Sequence, residues 1–349
     1  MKKIIPLFFL FVIAVACKQT PKPKSPAELA SQKSIYYWKT QFDLNEYELD
    51  FLKKHQISRI YVRMFDVVKN EDYHDNAPAV IPNASIRFIS QVPEGVEIVP
   101  TVYITYEALS SLRELDPKEL SGYAKKILTR VEAMSSYNNL TQVREVQFDC
   151  DWTKRCFWTY HNLCDHAKHI LNCSGRSLSI TLRLHQMNDK EFPPADRGVL
   201  MLYNTGAFKN PDTLNSILTY NDVKPYIRKH KVPFPVDYAY PTYEWNLLYR
   251  NQEFKYIIKE IDLTDSSLFV KSDYNKYVVQ KDTLIGTSSL KVGDVIRHET
   301  SDFSEIEKVK SDLTRHHDMK NSRQIIYHLD STNLSKYSDN EIEYMLLSY

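Results

Sequence analysis

Residues 145–153 read E-V-Q-F-D-C-D-W-T, and strand alternation sends Gln147, Asp149 and Asp151 to one side and Val146, Phe148 and Cys150 to the other. Two carboxylates on one face, two positions apart, are separated by about 6.6 Å along a strand, the scale on which paired acids work in glycosidases. Like charges that close raise one pKa and leave a proton donor beside an anion, unless a cation neutralises them. In S-L-S-I-T-L-R-L-H-Q, over 177–186, Leu178, Ile180, Leu182 and Leu184 share one side, and Ser179, Thr181, Arg183 and His185 the other. Asp149 and Asp151 are thus candidate acid, base or nucleophile, with His185 as a third catalytic candidate. Arg183, together with Arg63, is a candidate to position substrate or tune the acids. The same charges also suit a structural Asp–Arg network that fills a barrel end.

These side chains need a frame that brings several strand ends together. Strands are expected at 34–40, 59–67, 96–105, 145–152, 177–185, 197–204, 235–243 and 324–330, and helices at 44–54, 117–135, 156–172, 222–230 and 339–347. Pro117 suits a first helical turn, and Asp339 is placed to cap the last helix. Alternating strands and helices call for a parallel sheet, and eight such strands predict an α/β fold, a (β/α)8 TIM-type barrel over 34–349. Residues 244–323 break the rhythm, and a β-rich insertion between strands seven and eight is expected at about 262–300.

In such a barrel, one parity faces the outer helices and the other the interior and mouth. By that rule Tyr61, Arg63 and Phe65 turn inward from strand two, Asp237 or Tyr240 comes from strand seven, and His328 and Asp330 come from strand eight. Rings at or beyond predicted strand ends suit stacking on sugar faces: Trp38, Tyr103, Tyr106, Trp152, Tyr203, Tyr243 and Trp245. With Asn204 and Tyr240, most of them complete a candidate substrate-binding set.

Other chemistries find less support. The chain has seven glycines and neither a phosphate-loop nor a dinucleotide fingerprint, so no cofactor is expected, and G-x-S-x-G is absent. His166 and His169 are read as a solvated helix face, and His316 and His317 as loop. A metal-dependent hydrolase built on Asp149, Asp151, His185 and His328 is a further alternative. Cys150, Cys156, Cys164 and Cys173 fall within twenty-four residues, without close C-x-x-C pairs, and suit either free thiols or one disulfide.

The first seventeen residues carry Lys2 and Lys3, an apolar run from Ile4 to Ala16, and Cys17. This is a secretory signal, too short to span a bilayer comfortably. A-V-A-C resembles a bacterial lipoprotein cleavage box, which implies acylation of Cys17, export and a membrane tether through lipid. Lys18 then hints at the outer membrane. Residues 18–33 read as a disordered spacer. Formal net charge is +1, and loss of Lys2 and Lys3 with the leader makes it −1, leaving no excess of positive charge for nucleic acid.

F-D-C-D-W-T (148–153), T-L-R-L-H-Q (181–186), P-P-A-D-R-G-V-L-M-L-Y-N (193–204) and P-V-D-Y-A-Y-P-T-Y (235–243) resemble an uncharacterised family of secreted barrel lipoproteins of Bacteroidota. A more distant similarity is to chitinase-like glycosidases, whose fourth strand ends in D-x-x-D-x-D-x-E. Asp149 and Asp151 match the D-x-D, but Thr153 stands where that family has its catalytic acid. A threonine cannot protonate a leaving oxygen as a carboxylic acid does. The first resemblance implies an exported barrel protein and carries no activity with it. The paired acids, the rim aromatics and the distant glycosidase similarity give a glycan or oligosaccharide as the expected ligand, with a glycoside hydrolase-like enzyme acting through Asp149 and Asp151 as the leading reading and a non-catalytic glycan-binding or envelope-assembly lipoprotein as the alternative.

Overall fold

A computed structural model of the chain describes residues 32–348, apart from 73–76, 141, 229–231 and 260. The leader, Cys17 and nearly all of the spacer lie outside the described residues. No helix among the described residues is long and apolar enough to cross a membrane.

Eight parallel strands close into the expected barrel: β1 (Ser34–Tyr37), β2 (Arg59–Lys69), β3 (Glu97–Ile104), β4 (Glu145–Cys150), β5 (Ser177–Leu182), β6 (Arg197–Met201), β7 (Val236–Pro241) and β8 (Gln324–Tyr327). Pairing of β1 with both β8 and β2 completes the ring and removes the open edges. Around it run α1 (Glu46–Lys54), α2 (Pro117–Tyr137), α3 (Phe157–Cys173), α4 (Tyr220–Ile227), α5 (Phe303–His316) and α6 (Asp339–Leu346). Asn45 and Asp116 start α1 and α2 through capping boxes with Glu48 and Glu119. Ser338, not Asp339, caps α6, which leaves Asp339 as an acid of the first turn, where the helix dipole favours it.

Helix α5 is not anticipated by the sequence reading. Its buried residues are Ile306, Val309, Lys310, Asp312 and Leu313, so a lysine and an aspartate interrupt the apolar pattern. Lys310 Nζ donates to the carbonyls of Tyr344, Met345 and Leu347 at 2.5, 2.9 and 2.7 Å, satisfying acceptors at the end of α6. Between β7 and β8 the chain also builds a five-stranded antiparallel sheet from Glu244–Arg250, Glu253–Ile258, Phe269–Lys271, Lys276–Val279 and Val295–Thr300. Leu248, Ile258, Phe269, Val279, Leu290 and Ile296 form its own small core. It begins at Glu244, so the expected limits of 262–300 omit its first two strands.

A β-bulge corrects the parity of β2. Arg63 pairs with Thr101 and Phe65 with Val102, so Met64 is the extra residue. Beyond it the faces exchange: Phe65 turns outward beneath Arg130 of α2, 5.2 Å from its ring centroid, and Asp66 turns inward. Strand β8 is also one position out of the expected phase. Arg323 and Tyr327 reach the interior, while His328 is turned off the barrel axis toward Lys39 and Asp330.

The N-terminal end of the barrel is filled by charge. Arg59 bonds Glu145 at 2.7 Å and Glu97 at 2.9 Å, Arg323 bonds Glu145 at 2.8 Å, and Arg197 bonds Asp237 at 2.7 Å. Asp237 therefore belongs to the base, not to the mouth as expected. Above this layer, Tyr36 and Thr101 donate to Gln147 Oε1 at 2.8 and 3.3 Å.

Candidate functional site

The C-terminal ends of β4 and β5 bring the two aspartates to one arginine. Asp149 is 2% exposed, and its Oδ1 accepts from Thr181 Oγ1 at 2.6 Å and from Arg183 Nη2 at 3.2 Å. Arg183 Nε bonds Asp151 Oδ1, and the Asp151 side chain is 52% exposed. Burial pushes the Asp149 carboxyl above its usual range, against the opposing pull of Arg183 and Thr181. Burial disfavours charge on Arg183 in turn, but Asp149 and Asp151 outweigh it and hold the guanidinium charged.

Arg63 takes no part in this group. Its Nε donates to Asp66 Oδ1 at 2.7 Å, and its guanidinium lies 5.6 Å from the Trp38 ring centroid. The expected tuning of the strand-four acids by Arg63 is thus replaced by a pair that the bulge creates.

A cleft of about 680 Å³ opens at this end of the barrel, and Asp151, Arg183, His185, Tyr203, Asn204 and Trp245 all line it. His185 reaches it from the short turn Leu184–Asn188. Asn204 holds a left-handed backbone conformation, φ 54°, in the loop after β6, and its Oδ1 accepts from Tyr243 Oη at 2.6 Å. Trp245 enters from the inserted sheet, with its Nε1 donating to Glu299 at 2.7 Å. The remaining wall comes from the loop after β6, including Gly206, Phe208 and Lys209, and from Asp222 of α4. Sequence reasoning passed over that loop; its T-G-A-F-K-N turn composition was the available signal.

Rings extend around the mouth. Tyr203 stacks on Tyr327, with centroids 4.6 Å apart and planes at 27°, and Tyr327 meets Trp38 at 5.8 Å and Tyr243 at 5.8 Å. Tyr327 is central here and was missed because of the phase of β8. Tyr103 stands half-buried near the acids, its phenol pushed up to about 12 by burial first and then by Asp149 and Asp151. Tyr203 is 5% exposed, and its hydroxyl has no hydrogen-bond partner among the described residues.

Two expected site residues lie elsewhere. Tyr240 is fully buried on the outer side of β7, where its hydroxyl donates to Gln324 at 2.9 Å and Lys310 Nζ sits 5.5 Å from its ring centroid. Trp152 is 1% exposed and packs on Phe157 at 5.5 Å, away from the mouth cleft. His328 is off the axis, as described above, and no three His, Cys, Asp or Glu among the described residues come together in a metal-binding group. Cys150, Cys156, Cys164 and Cys173 are free thiols, the first three buried.

In two-carboxylate glycosidases the scissile bond lies between the acid and its partner carboxylate. Here the Arg183 guanidinium occupies that place. Asp149 is reached only from within the protein, and Thr153 carries no carboxyl. The group works as one anchored unit that presents Asp151 and one flank of Arg183 to the cleft.

No protein-family model matches the chain, and no curated protein matches it in sequence. Solved structures do match in fold. The C-terminal domain of a protein described as a chitinase from Desulfitobacterium hafniense superposes with TM-score 0.55 at 9% identity, covering 91% of this chain and 100% of that one. The GH18 chitinase ChiB from the chitin utilization locus of Flavobacterium johnsoniae gives 0.51 at 12% identity, covering 90% and 94%. A Group II chitinase catalytic domain from Ostrinia furnacalis, in complex with penta-N-acetylchitooctaose, gives 0.51 at 10% identity, covering 90% and 95%. The chain therefore shares the TIM-type barrel fold of these structures.

Proposed function

We propose that this protein is a saccharide-binding barrel whose mouth cleft holds a glycan without cleaving it by a two-carboxylate mechanism. The observation that carries the reading is the position of Arg183, between the aspartates and bonded to both, on the wall of a 680 Å³ cleft lined by Tyr203, Asn204 and Trp245. The partly exposed rings of Trp245 and Phe208 set apolar faces beside fixed polar groups on this wall, the mixture a pyranose ring requires. Titration calorimetry with β-1,4-linked N-acetylglucosamine oligomers and other oligosaccharides, with chromatography of the same samples, tests it. Binding without new products is expected; cleavage that disappears in Asp151→Asn would overturn the non-catalytic reading.

One observation favours hydrolysis as a second reading: Asp151 borders the cleft with half its side chain exposed. It is the strand-four carboxylate that a substrate could touch, and a sugar bearing its own 2-acetamido group needs only one protein acid beside it.

The sequence of residues 1–33 supports an exported lipoprotein of the kind resembled in Bacteroidota, acylated at Cys17 and tethered to the envelope, facing glycan from the outer membrane. Metabolic labelling with a fatty-acid probe is expected to mark the wild type and to fail with Cys17→Ser.

A further inference from the structure

A second group of aromatic side chains lies outside the mouth cleft. Trp158, in the first turn of α3, is 61% exposed, and its ring is propped by Phe157 and His161 at centroid distances of 5.1 and 5.2 Å. Clefts of about 460 and 290 Å³ flank it, and Lys190 and Glu191 border both. The buried Trp152 lines the larger cleft, and its indole Nε1 has no acceptor among the described residues. His161 lines the smaller one, and its Nδ1 is likewise without a partner there. A buried N–H left unpaired costs free energy, which an incoming acceptor offsets.

The turn Leu184–Asn188 separates this region from the mouth. His185 lines the mouth cleft and Asn188 the Trp158 cleft. Gln186 pins the turn to both sides, donating from Nε2 to the Trp152 carbonyl at 2.9 Å and accepting from the Arg183 backbone N–H at 2.8 Å. The turn is thus a ridge that borders both clefts.

We propose that Trp158 is a second saccharide platform, so that the bound glycan is an extended chain lying across the Leu184–Asn188 ridge, not a single sugar held at the mouth. This rests on the saccharide reading of the mouth cleft. A flat indole face suits the apolar C–H face of a pyranose, and Asn188, Lys190 and Glu191 supply donors and acceptors for its hydroxyl edge.

Titration calorimetry with the dimer and the hexamer of β-1,4-linked N-acetylglucosamine tests the proposal. Wild type is expected to bind the hexamer at least about tenfold more tightly than the dimer. Trp158→Ala should collapse that ratio to about one, and Trp158→Tyr, which keeps a flat ring, should recover most of it. Trp245→Ala should weaken both lengths and leave the ratio standing. Equal wild-type affinities, or an unchanged ratio in Trp158→Ala, would overturn the platform while the mouth reading stands. Binding of neither oligomer by wild type would overturn both.

Discussion

Arg183 Nη2 stands 3.2 Å from Asp149 Oδ1, at a point where the carboxylate is 2% exposed and the guanidinium is its one cationic partner among the described residues. Breaking such a pair from one side leaves a buried charge without compensation. Arg183→Met should therefore destabilise the fold by about 3–5 kcal/mol in urea unfolding. The double variant Arg183→Met with Asp149→Asn should cost clearly less than the sum of the singles.

Asp151 differs because solvent already screens it. Asp151→Asn should change stability by about 1 kcal/mol or less, yet weaken oligosaccharide binding by about tenfold if the carboxylate meets sugar hydroxyls. Parallel melting curves and calorimetric titrations separate the two effects.

Tyr203 offers a contrast between free and bound states. Its hydroxyl is buried without a partner among the described residues, so Tyr203→Phe should leave stability unchanged or raise it by up to about 1 kcal/mol. If a ligand acceptor meets that hydroxyl, the same change should lower affinity by about tenfold. A stable variant with unaltered affinity would remove Tyr203 from the binding surface.

Glu145 sets an acid limit. Burial alone would raise its pKa, but Arg323 and Arg59 outweigh burial and hold it at about 2, below its ordinary 4.5. A depressed carboxylate stabilises the fold above the unfolded value and loses that contribution as pH falls through the folded one. The window is thus about pH 4.5 down to about 2, and the contribution is roughly 3 kcal/mol. Glu145→Gln should flatten the pH dependence of urea midpoints across that window and cost about 3–5 kcal/mol at neutral pH.

The barrel and the β4–β5 part of the mouth were legible because both strands alternate cleanly, apolar out and polar in, with nothing to disturb the period. Strand β2 was misread beyond Arg63 because a bulge adds a residue without a compositional mark, and Asp66 was lost with it. In β8, Tyr327 and His328 are adjacent polar-tipped rings, so the alternation gave no way to choose between them. Helix α5 escaped notice because Lys310 occupies a core position, where its reward is three carbonyls some thirty-five residues away in sequence. The Trp158 surface was invisible to strand parity altogether, since it lies on a helix. Asp149 and Asp151 were correctly placed on one face, and Arg183 was named with Arg63 as a partner for them; that Arg183 bonds both acids while Arg63 bonds Asp66 follows from side-chain reach and the bulge, which spacing does not report.

The ionic layer of Arg59, Glu97, Glu145, Arg197, Asp237 and Arg323 makes the barrel a cup with one lip. A polymer cannot thread through it from end to end. Whatever guest the lip receives must arrive and depart by the same door, resting sideways on it or dipping in one terminus at most.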